Sequence, residues 1–139
     1  TVSSGYLLTD LADCIRSICN SAGGDPENID NVSFDINSCK SFLNGYFSIN
    51  KAHNINTFRF LPEFIYLIIF ELTVRFFTDF LQSNPYFKIK YETHNLFRAE
   101  VQYRLLSSFL LQMPNLSNEL DNIGVPLSSN FVSDIKKIL

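Results

Sequence analysis

Three charged side chains stand out first: Glu71, Arg75 and Asp79, each four residues from the next in an otherwise apolar stretch. On a helix that spacing puts all three on one stripe. The acid-base-acid order lets Arg75 bridge both carboxylates. One reading is a structural ion-pair ladder. The other is a guanidinium held by two acidic neighbours and aimed at a pocket, where its rigid fork of donors suits an anionic or hydroxyl-rich ligand. Asp10, Asp13 and Arg16 make a second cluster at three-residue spacing, read as capping plus a salt bridge or as a weak carboxylate pair. His94, Asn95 and Arg98 make a third, at the start of a predicted helix. That cluster reads as a local cap network or as a phosphate site at a helix N-terminus. The two histidines, His53 and His94, lie far apart with no cysteine pair nearby, so the sequence carries no standard zinc site. No serine has a recognisable histidine partner, and no glycine-rich phosphate loop is present. No catalytic residue can be assigned.

The elements that must hold these clusters are helical. Leu11, Cys14, Ile15, Ile18 and Cys19 fall at helical spacing and predict a helix from about Thr9 to Asn20, with residues 1–7 as a loop before it. Gly23 and Gly24 stop it. Cys39, Phe42, Leu43, Tyr46 and Phe47 predict a second helix, Asp35 to Ile49, capped by Asp35. A third runs from about Leu61 to Gln82 with Pro62 in its first turn. It is apolar on most faces, so burial on most faces is expected. After Asn84-Pro85 and a connector, Thr93 caps a fourth helix closed by Pro114. A last helix is expected over 129–139. The fold class is therefore all-α, a bundle of about five helices. Residues 1–113 form its main domain and 114–139 an unassigned loop and terminal helix.

Composition bounds the partners. Hydrophobic residues make up 46% of the 139, including 14 Phe, and charged residues only 18%. A chain this poor in charge has difficulty covering its own surface, so one face should be covered by another part of a larger protein or by a second copy. Net charge is −3 with no basic stripe, which carries no nucleic-acid footprint. The longest apolar run, Phe64 to Phe70, falls well short of the roughly 20 residues of a membrane span. The odd cysteine count, Cys14, Cys19 and Cys39, argues against a disulfide framework. It predicts small buried thiols in a reducing, cytoplasmic setting.

The run from Glu71 to Leu81, then Tyr86-Phe87-Lys88, His94-Asn95-Leu96-Phe97-Arg98 and Gln102, resembles the C-terminal signature of the aminoglycoside phosphotransferase/choline kinase-like group, in its N-acetylhexosamine 1-kinase-like branch. The segment Gly5 to Arg16 is similar to an earlier motif of the same group. Ala12, Ser83-Asn84-Pro85 and Glu100 depart from the pattern. The resemblance, over about residues 1–112, implies the helical C-terminal part of a kinase that passes the γ-phosphate of ATP to a sugar hydroxyl with Mg²⁺. It implies Arg75, with Glu71 and Asp79, at the acceptor-sugar wall. Such a kinase keeps its catalytic Asp, its metal ligands and its ATP lobe upstream of the stretch resembled here. The chain begins abruptly at Thr1-Val2-Ser3, as a fragment would. It is therefore expected to hold no ATP or Mg²⁺ of its own, to be inactive alone, and to partner the missing N-terminal kinase region. The alternative is a non-catalytic helical binding or assembly module derived from such a kinase.

Overall fold

The computed structural model describes residues 4–49 and 55–127. Among them the chain is all-helical: α1 (Ser4–Ile18), α2 (Ile36–Ile49), α3 (Leu61–Leu81) and α4 (His94–Ile123), with short 3-10 helices at Ile29–Asn31 and Ile55–Phe60. The fifth predicted helix, 129–139, and His53 lie outside the described residues. No described helix is long and apolar enough to cross a membrane.

α3 and α4 form the spine, and α1 and α2 pack against it. The core is one cluster. Leu8, Leu11, Ala12 and Ile15 of α1 meet Leu61, Ile65 and Ile69 of α3 and Val101, Leu105 and Phe109 of α4. Leu8 in that cluster shows why α1 begins at Ser4 and not at Thr9: the buried stripe continues a turn further toward the N-terminus than the loop predicted for residues 1–7. Asp35 caps α2 as expected. Its Oδ1 accepts the backbone N–H of Asn37 (3.0 Å) and Ser38 (3.2 Å). Those bonds and the Ser38 hydroxyl hold its carboxyl below the usual range.

Two helices depart from their sequence reading. α4 does not stop at Pro114; it passes through it to Ile123 and ends on Gly124 in the left-handed conformation, φ 95°. Proline removes the donor that would reach the Leu110 carbonyl. Met113 just before it and Leu116 and Leu120 beyond it are nevertheless fully buried, and their burial outweighs the lost bond. α3 buries only one face. Leu67, Phe70, Val74, Phe77 and Leu81 are between 45% and 64% exposed.

The cysteines also divide. Cys14 is exposed, against expectation, while Cys19 and Cys39 are buried and reduced where α1 ends and α2 begins. There Cys39 hydrogen-bonds Cys19. That bond and burial push the Cys39 thiol above its ordinary value.

Candidate functional site

Packing of α1 on α3 brings together two clusters far apart in the chain. Asp10, Asp13 and Arg16 from α1 and Glu71 and Arg75 from α3 line one cleft of about 390 Å³. Ile68 and Leu72 supply apolar wall, and Thr9 completes it. Arg16 is mostly buried and held by Asp13, Nε to Oδ1 at 2.8 Å. Arg75 is looser: its nearest acid, Glu71, is 3.9 Å away and both side chains are about half exposed. The guanidinium also lies 5.6 Å from the ring centres of both Tyr86 and Phe87, within cation–π range. The cleft thus offers two cations, three carboxylates and an apolar surface at a mouth open to water.

Asp79 does not belong to this ladder. It is 4% exposed, and the ion pair of Arg75 is with Glu71 instead. Its Oδ1 accepts the backbone N–H of Tyr86 (2.9 Å), and its Oδ2 accepts those of Phe87 (2.9 Å) and the Asn95 side-chain amide (2.8 Å). A buried carboxylate must have its lone pairs filled, and these donors fill them. The predicted bridge from Arg75 to Asp79 therefore fails because the connector's amides claim the carboxylate first. The same turn shapes the backbone: Ser83 and Asn84 are both left-handed, φ 67° and 62°. Asn84 steadies it by donating its backbone N–H to the Asp79 carbonyl at 2.7 Å.

The third cluster extends this network. Asn95 accepts from Arg98 at 3.0 Å, and Arg98 also donates to the Lys88 carbonyl at 2.9 Å. His94 is 1% exposed. Its Nδ1 accepts the Lys90 backbone N–H (3.1 Å), so Nε2 carries the proton and donates it to Asp25 at 2.8 Å. That bond holds the Asp25 carboxyl below the usual range, with desolvation opposing and the charges of Arg98 and Lys90 assisting. Tyr91 stacks on the ring at 4.7 Å. His94, Asn95 and Arg98 are thus a cap network with their hydrogen-bonding capacity turned inward. Thr93, expected to cap α4, makes no side-chain cap bond. Asp25 was not legible as a partner: it sits 69 residues before His94 in a polar loop, and no local spacing signals it.

No family model matches this chain.

Among the described residues no group of His, Cys, Asp and Glu could hold a metal ion. Of the site residues singled out in the sequence, Glu71 and Arg75 line the open cleft, and Asp79, His94, Asn95 and Arg98 build the scaffold behind it. Gln102 is buried in α4 with its amide oxygen unpaired.

Proposed function

We propose that this chain is the acceptor-binding helical wall of a sugar-kinase-like phosphotransferase, with the α1–α3 cleft receiving the sugar. The observation that carries the proposal is the meeting of Asp10, Asp13 and Arg16 with Glu71 and Arg75. The two segments that carry the family resemblance line one cleft. A pyranose presents hydroxyls that both donate and accept, alternating with C–H faces. Guanidinium forks and carboxylates satisfy the first, and Ile68 and Leu72 suit the second. Its volume lies in the roughly 300–1,000 Å³ range of small-molecule sites. ATP and Mg²⁺ would be held by a catalytic lobe whose motifs this sequence does not contain.

Titration of the ¹⁵N-labelled chain with a panel of hexoses and N-acetylhexosamines tests the proposal. Saturable shifts at Asp13, Arg16, Glu71 and Arg75 are expected. Arg75→Ala should weaken binding about tenfold, the loss of one or two charge-assisted hydrogen bonds. If no sugar in the panel shifts these resonances at about 10 mM, roughly the weak limit of small-ligand affinity, the proposal fails. A second reading, a non-catalytic assembly module, is favoured by one separate observation, the outward apolar face of α3.

A further inference from the structure

The outward face of α3 has a regular pattern. Its exposed apolar residues, Leu67, Phe70, Val74, Phe77 and Leu81, alternate at spacings of three and four. That is the a/d spacing of a coiled-coil seam. At about 100° per residue, Val74 lies about 180° around the helix from the buried Ile65. The seam is therefore the face directly opposite the core, where a surface helix ordinarily carries charge. Instead Glu71 and Arg75 of α3 sit to one side, in the α1 cleft. On the other side, between α3 and α4, lies an apolar groove of about 370 Å³ lined by Val74, Phe77, Leu96, Ala99 and Tyr103.

We infer that this seam pairs two copies of the chain, α3 against α3, antiparallel about a two-fold axis near Leu72. Two observations favour a second copy. First, the seam is self-complementary in size. About that axis Phe70 faces Val74 of the second copy and Phe77 faces its Leu67, so every ring meets an aliphatic side chain, and the groove beside Ala99 gives the rings depth. Second, the area is right. A large apolar side chain that is half exposed offers on the order of 100 Å². The seam with Phe60, Leu96 and Tyr103 then presents on the order of 700 Å² per copy, close to the roughly 800 Å² per partner of a standard interface. The inference rests on this face alone and stands whether or not the α1–α3 cleft binds a sugar.

Sedimentation equilibrium of the full chain between about 1 and 100 µM, the range of modest interfaces, tests it. A reversible dimer of the 16.0 kDa chain is expected. Phe70→Lys and Val74→Asp should each raise the dissociation constant about a hundredfold or more, as truncation of central anchors does. Both sites are exposed, so helicity should be unchanged by circular dichroism. Mixing the two variants should restore pairing. In the antiparallel register the introduced lysine meets the introduced aspartate in one layer, and the other layer keeps its native pair. Ile18→Asp, exposed on α1 outside the seam, should leave the dimer intact, as should ending the chain after Leu127. A monomer throughout the range, a dimer indifferent to Phe70 and Val74, a dimer lost with residues 128–139, or a mixture that stays monomeric would each overturn the inference.

Discussion

Asp79 and Arg75 share one helical stripe and play opposite parts. Asp79 is buried and accepts three hydrogen bonds that tie α3 to the connector and to α4. Asp79→Asn keeps the shape and turns an acceptor into a donor facing backbone N–H groups. A loss of about 2–4 kcal/mol is expected in urea denaturation, because bonds to charged groups carry most of the cost. Arg75→Ala, at an exposed and poorly closed ion pair, should cost less than about 1 kcal/mol. Equal losses at the two sites would contradict this division. Glu63, in the first turn of α3, gives the pH dependence. It is half-buried, and one carboxylate oxygen has no partner. Burial pushes its carboxyl up from the ordinary value, opposed by its own backbone N–H and by Arg59. Below about pH 4 it is protonated in both folded and unfolded chains and costs nothing. As pH rises through the raised folded value, the folded chain must carry the charge, and stability falls. Glu63→Gln should therefore stabilise at pH 7, by less than about 1 kcal/mol because solvent screens the group, and show no gain at pH 3.5. Thermal melts at the two pH values check both halves.

At the scale of elements, the turn after α3 and the proline within α4 decide most. Ser83 sits in the left-handed region with φ 67°, where an L side chain costs roughly 1–2 kcal/mol. Ser83→Gly should stabilise by about 1 kcal/mol despite the added freedom of the unfolded chain, and a midpoint that falls instead would show that the serine is not strained. Pro114→Ala should stabilise by about 1–3 kcal/mol by restoring the donor to Leu110, with helicity by circular dichroism unchanged or slightly higher. Loss of stability would mean that the proline sets a helix direction on which the core depends. These sites also mark how far the sequence could be read. Four helix positions followed from the 3.6 period, and Asp35 was legible as a cap, since local chemistry fixes both. Pro114 was read as a stop because local rules say so, and only the burial of Met113, Leu116 and Leu120 across it decides otherwise. For α3, hydrophobicity on most faces was visible, but a single sequence cannot say which apolar face meets the core.

In the whole molecule the sites follow the same rule. The clusters around Arg16 and Arg75 could be found separately in the sequence, while their union in one cleft depends on α1 crossing α3. Asp25 and its bond to His94 were invisible for the same reason. Phosphoryl transfer needs positioned phosphates, metal and a catalytic carboxylate together, and this sequence carries no motif for any of them. The isolated chain should show no turnover of labelled ATP with any sugar of the panel; turnover abolished by Arg16→Ala would overturn this. The length of α4 has one further consequence. Its 30 residues rise about 45 Å. A compact globule of this size has a radius of gyration near 14 Å and so a diameter of only about 37 Å. The molecule is therefore prolate, with a frictional coefficient above that of a sphere. It should diffuse slowly for its mass and leave a gel-filtration column early, so a single chain there can imitate something heavier. Its mass is read faithfully only where friction cancels.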